Sequence, residues 1–108
     1  MEEMIYVVDD DDNVVRETTR KEVRKKGLLH RDVTVVITNS RNEFLIQKRS
    51  LKKDIYPGFW DFGMSETVGA GEIYSQAAVR GLQEELGIED ISEKNLEKSF
   101  LFKFKENK

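Results

Sequence analysis

The chain has 108 residues, 36% of them charged and 38% hydrophobic, and a net charge of −3. That is enough for one domain around one modest core, spanning residues 1–108, and too little for two. The acidic balance argues against a nucleic-acid partner, and the absence of cysteine excludes disulfides, thiolate metal sites and cysteine nucleophiles. No apolar run approaches the length of a membrane span and the acidic amino terminus is unlike a secretory signal, so a cytoplasmic protein without a membrane partner is expected.

Taken in order, residues 4–8 are a short β-rich run, and residues 9–13 form an acidic turn. Val14 and Val15 begin a second extended piece, so the opening reads as a hairpin. The four consecutive aspartates Asp9, Asp10, Asp11 and Asp12 lack the alternating ligands and closing glutamate of a calcium loop, which favours a solvated turn. Thr19 and Glu22 spell T-x-x-E, a capping box, and predict a short helix through Lys26 with Gly27 as its stop. Arg16, Arg20, Lys21, Arg24, Lys25, Lys26 and Arg31 make this the basic part of the chain: a guide for a polyanion, or a solvated and salt-screened face.

His30 is the single histidine, and a structural or exposed role is expected of it over metal ligation. The β-branched run 33–38 reads as a well-buried strand, residues 39–42 as a turn, and residues 43–48 as the returning strand, with both faces partly covered. A polar loop over 49–56 follows and ends at the Pro57-Gly58 turn signal. Phe59, Trp60 and Phe62 are expected to anchor the next segment on the sheet, with stacking on a ligand as the lesser alternative.

That next segment, residues 66–88, organises the chain. It is a loop containing Gly69 and Gly71, followed by an amphipathic helix ending at Gly87. At roughly 100° per residue, Ala78, Val79, Leu82 and Leu86 form one core-facing stripe. Gly81, Glu84 and Glu85 fall on the neighbouring flank with Ala77 and Ile88. Adjacent carboxylates beneath a glycine loop could hold a hard divalent cation against a phosphate, or belong to a solvated helix surface. Beyond the helix, a short turn is expected over 92–95, then an extended segment over 96–105 in which Phe100, Phe102 and Phe104 alternate with polar residues.

The spacing of this segment resembles the box of the Nudix hydrolases, G-x5-E-x7-R-E-U-x-E-E-x-G-U, where U is a bulky aliphatic residue. Glu72, Arg80, Leu82, Glu84, Glu85, Gly87 and Ile88 stand where the family has its fixed residues, seven of the nine positions in unbroken register. Two positions depart: Glu66 stands in place of the first glycine, and Gly81 in place of the first glutamate of R-E-U-x-E-E. The hairpin, short helix, His30 region, strand pair and P-G-F-W-D run resemble the branch that includes the isopentenyl-diphosphate isomerases. Ser65 and Thr67, however, stand where those carry a catalytic cysteine and a metal-binding histidine, so isomerization is disfavoured.

The resemblance implies an α/β fold, an α/β/α sandwich with a mixed sheet, and metal-dependent hydrolysis of a nucleoside-diphosphate-linked or related diphosphate small molecule. Mg²⁺ or Mn²⁺ would be held by Glu85 first and Glu84 second. Arg80 would orient the carboxylates, and Glu72 would pair with it or hold an outer-sphere water. The acidic chain needs such an ion, or local basic residues, to attract an anionic ligand; Arg49, Lys52 and Lys53 are candidates for phosphate contacts. Gly81 removes a family carboxylate, which is expected to weaken metal binding unless Glu66 reaches into the gap as a ligand. The alternative is a catalytically weak or silent binding module of the same fold. The family domain usually continues with further strands and a closing helix, so a carboxy-terminally short domain is expected, and the strand edge this leaves predicts a homodimer.

Overall fold

The computed structural model describes residues 2–52, 56, 58–97 and 101, and for Asp61 and Phe62 the backbone only. The opening hairpin is present as read: β1 (Met4–Val8) pairs antiparallel with β2 (Val14–Thr19), with a register shift between Val7 and Val8. Its turn is built by Asp9, whose carboxylate accepts from the amides of Asp11 and Asn13, both at 2.9 Å. Those amide bonds hold the Asp9 carboxyl below its ordinary value. An aspartate so engaged belongs to a turn of the Asx kind, and the calcium-loop alternative finds no support.

Helix α1 (Arg20–Lys26) starts and stops at the predicted residues. The Thr19 hydroxyl accepts from the Glu22 amide at 3.1 Å, and Gly27 ends the helix in the left-handed conformation. The Glu22 carboxylate bonds Thr18 and Lys26, which together hold it down to about 2. One face of α1 buries Val23 against Ile5 and Val7 of β1, with Leu28 packed alongside. The basic residues of this region are largely neutralised within the fold: Arg16 and Lys26 approach Glu22, Arg20 bonds Glu3, and Arg31 bonds Asp12. That arrangement favours the solvated-face reading.

The remaining strands form two more antiparallel pairs. β3 (Asp32–Val35) pairs with β6 (Met64–Thr67), and β4 (Ile46–Lys48) pairs with β5 (Trp60–Phe62). Every pairing among the described residues is antiparallel, including the bridges Val7–His30 and Thr38–Phe44. The turn at residues 39–42 is present, closed by the Asn39 amide on the Glu43 carbonyl. Between β5 and β6 the chain turns at Gly63, φ +69°, where a Cβ would collide with the Val35 carbonyl; only glycine fits there.

Three expectations about burial fail. The 33–38 run is not a well-buried strand: β3 ends at Val35, its residues alternate between exposed and half-buried, and Val36 is exposed. The returning strand shortens to three residues, and Phe44 (57% exposed) and Ile46 lie open. Phe59 and Trp60 (66% exposed) do not anchor the glycine loop; β5 pairs with β4 instead. A β-branched or aromatic run reports an extended backbone, not which of its faces is covered. Lys53 and the segment with Phe100, Phe102 and Phe104 lie outside the described residues.

Helix α2 (Tyr74–Leu86) packs across β3 and β6. Its buried face is Ala77, Ala78, Gly81 and Leu82, while Val79 and Leu86 are half-buried. The apolar stripe is thus turned towards the flank that carries Gly81, because Gly81 rather than Val79 meets the sheet. Gly87 stops the helix in the left-handed conformation, with its amide on Gln83 and the Ile88 amide on Leu82. The turn expected over 92–95 is a single 3-10 turn, Glu93–Asn95.

A network that no local pattern announces joins the hairpin turn to this helix. Asp12 accepts from Arg31 Nε at 2.8 Å and from the Tyr74 hydroxyl at 3.1 Å, and Arg31 lies 5.4 Å from the Tyr74 ring centroid. Burial, then the Asp12 carboxylate, pushes the Tyr74 phenol up to about 12. Its folded value lies above the ordinary 10, so this contribution to stability is complete below pH 10 and is lost between 10 and 12. An Asp12→Asn variant should lower stability by about 1–2 kcal/mol. In an ultraviolet alkaline titration it should also bring the latest-titrating tyrosine down towards the ordinary value.

Candidate active site

The glycine loop is fixed before any ligand arrives. The Ala70 amide bonds the Met4 carbonyl at 2.9 Å and the Val68 amide bonds the Arg31 carbonyl at 3.0 Å, so the loop is tied to both the hairpin and the β3 approach. Glu72 closes it from within: its Oε1 accepts from the Gly69 amide at 2.8 Å.

Arg80, at the middle of α2, meets Glu72 with two parallel bonds, Nε to Oε2 at 2.8 Å and Nη2 to Oε1 at 2.9 Å. Nη2 also donates to the Thr67 carbonyl at 2.9 Å. The planar fork makes this geometry available to arginine and not to lysine. These bonds hold the Glu72 carboxyl below its ordinary range and drive the Arg80 guanidinium further up. The third nitrogen, Nη1, faces two other carboxylates at longer range, Glu84 at 3.5 Å and Glu66 at 3.6 Å. Arg80 thus pairs with Glu72 and also reaches Glu84, its i,i+4 neighbour, with Glu72 the closer.

The two departures from the box stand face to face. Met64 and Glu66 point from β6 towards α2, and a Cβ built on Gly81 would lie 2.7 Å from the Met64 thioether and 3.1 Å from the Glu66 Cβ. Met64 is fully buried, and the Glu66 side chain is only 11% exposed. Burial raises the Glu66 carboxyl above its ordinary value; Arg80 opposes that rise, and the charges of Glu85 and Glu84 add to it. Glu84 (61% exposed) and Glu85 are solvent-facing on the last turns of α2.

Among the described residues, no group of three or more acidic or histidine side chains is placed to hold a metal ion as it stands. The donor chemistry nonetheless suits a hard cation. Glu66, Glu84 and Glu85 offer only carboxylate oxygen, and the Arg80 nitrogen that faces Glu66 and Glu84 stands off at 3.6 and 3.5 Å. His30 takes no part: its Nδ1 lies 2.9 Å from the Leu28 carbonyl and its Nε2 3.5 Å from Asp32. Arg49 and Lys52 follow β4, on a different strand pair from Glu66; the Arg49 amide bonds Phe59 and the Lys52 amide bonds the Ser50 hydroxyl. Ser65 is exposed and bonds Thr34 across the β3–β6 pair. Met64, which closes the space beside Gly81, went unnoticed in the sequence, since an isolated methionine carries no signal of its own.

Known proteins resemble this chain along most of its length. The family model described as the NUDIX domain matches residues 28–107. An uncharacterized Nudix hydrolase of Pseudomonas aeruginosa is 42% identical over 88 residues, covering 82% of this chain and 52% of that protein. An isopentenyl-diphosphate Delta-isomerase of Serratia proteamaculans is 37% identical over 87 residues, covering 81% of this chain and 49% of that one. The crystal structure of DR0079 from Deinococcus radiodurans superimposes with a TM-score of 0.74 at 30% identity, covering 81% of this chain and 54% of that chain. The chain belongs to the Nudix family and has its α/β fold. It spans about half the length of the curated relatives it matches.

Because the folded Glu72 carboxyl lies below its ordinary 4.5, its stabilisation is present above that pH and is lost as pH falls through the lowered value. A Glu72→Gln variant should lose about 1–2 kcal/mol at neutral pH and show a shallower loss of stability below pH 4.5, read from urea unfolding across acid pH.

Proposed function

We propose that this chain carries the hydrolytic centre of a metal-dependent enzyme acting on a nucleoside-diphosphate-linked or related diphosphate small molecule. The observation that supports it most is the carboxylate face made by β6 and α2 and braced by the Arg80–Glu72 pair. Glu85 and Glu84 would hold Mg²⁺ or Mn²⁺. When bound, such an ion offsets charge on the diphosphate oxygens as water attacks phosphorus.

The protein's own residues do the positioning. Arg80 holds Glu72, and through it the Gly69 amide, so the loop that would lie against the phosphates is rigid in advance. Its spare nitrogen offsets the mutual repulsion of Glu66 and Glu84 until a cation replaces it. Arg49 and Lys52 are candidates for contacts to the outer phosphate. Ser65 in place of a cysteine, and Thr67 in place of a histidine, argue for hydrolysis over isomerization even though isomerases are among the relatives. Among the described residues no helix is long and apolar enough to cross a membrane. The same reading carries a cytoplasmic location and a homodimer, the latter supported by the exposed Phe44, Ile46, Phe59 and Trp60. A second reading, a binding module without turnover, draws support from Gly81 and from the absence of a preassembled metal cluster among the described residues.

Phosphate release from a panel of nucleotide diphosphate conjugates separates the two. Turnover should require Mg²⁺ or Mn²⁺ and should fall roughly 100-fold or more in Glu85→Gln, comparable to losing one electrostatic stabiliser of the developing charge. Nucleotide binding without metal-dependent release from any conjugate would favour the module.

A further inference from the structure

We propose that Glu66 and Gly81 are a reciprocal exchange, in which the carboxylate that the family carries on the helix is supplied to the same metal site from the opposite strand. The inference rests on the functional reading above and concerns residues at which this chain departs from its family.

Three observations carry it. First, the two departures are fifteen residues apart in sequence yet meet across the β6–α2 contact, where a Cβ on residue 81 would come within 3.1 Å of the Glu66 Cβ. Independent losses would have no reason to fall on facing positions. Second, the exchange is sterically complementary. A side chain at position 81 would press on the flexible end of Met64, which can move aside, and on the Glu66 Cβ, which has little room to give, so a carboxylate entering from one side crowds one entering from the other. Third, Glu66 is poorly served as a structural residue. It is nearly buried, and apart from a bond from the Thr67 backbone its nearest cation, Arg80 Nη1, stands at 3.6 Å with its two sister nitrogens committed to Glu72 and Thr67. A nearly buried carboxylate with so few donors is costly to keep unless something else neutralises it. Glu84 faces the same Arg80 nitrogen at 3.5 Å, so two carboxylates share one distant positive group and the ligand that would relieve both is a cation.

Manganese binding to the full chain, followed by calorimetry and by electron paramagnetic resonance, tests this without relying on turnover. Glu66→Gln should weaken Mn²⁺ roughly tenfold or more while leaving the circular dichroism spectrum unchanged. Glu66→Asp, which keeps the charge but retracts it, should fall between that variant and wild type. Gly81→Glu alone should melt lower and gain no affinity, because the Glu66 side chain already stands against its exit. The exchange variant Glu66→Gly with Gly81→Glu should recover Mn²⁺ binding lost in Glu66→Gln. Wild-type affinity in Glu66→Gln, alongside loss in Glu85→Gln, overturns the role of Glu66 and leaves the proposed function standing. A wild-type chain that binds no Mn²⁺ at millimolar concentration overturns both.

Discussion

The paired bonds between Arg80 and Glu72 are the constraint on which the rest of this structure turns. They join the middle of α2 to the glycine loop, and through the Thr67 carbonyl they reach the end of β6. Without them, the loop would depend on two backbone bonds to β1 and to Arg31. With them, the carboxylates on either side are presented at fixed places: Glu66 from the strand, Glu84 and Glu85 from the helix. The pair is partly exposed, and exposed ion pairs contribute little by themselves. Here the value lies in geometry, because a fork that satisfies Glu72 leaves one nitrogen facing the other carboxylates.

The electrostatics of this face are deliberately incomplete. A single guanidinium nitrogen at 3.5–3.6 Å stands against Glu84 and Glu66, with Glu85 close enough to act on Glu66 through its charge. Most acidic residues elsewhere in the chain for which contacts are described have closer partners: Glu3 has Arg20, Asp12 has Arg31 and Tyr74, and Glu22 has Lys26 and Thr18. A surplus of negative charge concentrated beside a glycine loop is the condition under which a hard cation is bound strongly. Only with such a cation held there would a chain of net charge −3 draw a phosphate ester to this place.

Much of this was legible in the sequence where chemistry is local. The hairpin turn followed from a run of aspartates, α1 from Thr19 and Gly27, and the end of α2 from Gly87, because caps and turns are decided within four or five residues. The box register put Glu72, Arg80, Glu84 and Glu85 on one segment, along which Arg80 meets both Glu72 and Glu84. Burial was read less well. Phe44, Ile46 and Trp60 have strand propensity and proved exposed, since propensity carries no information about what covers a face. The rotation of the buried face of α2 onto Gly81 escaped detection because glycine adds nothing to a hydrophobic pattern. Asp12, Arg31 and Tyr74 are separated by up to 62 residues and left no trace in any local window.

The most direct examination of the account is a nuclear magnetic resonance titration of the isotopically labelled chain with Mn²⁺, whose unpaired electrons broaden nearby amide signals. The account expects Glu66, Thr67, Glu84 and Glu85 to lose intensity first, with Tyr6 and Arg16 on the hairpin spared. Uniform broadening, or loss centred on the aspartates of the turn at residues 9–12, would contradict it.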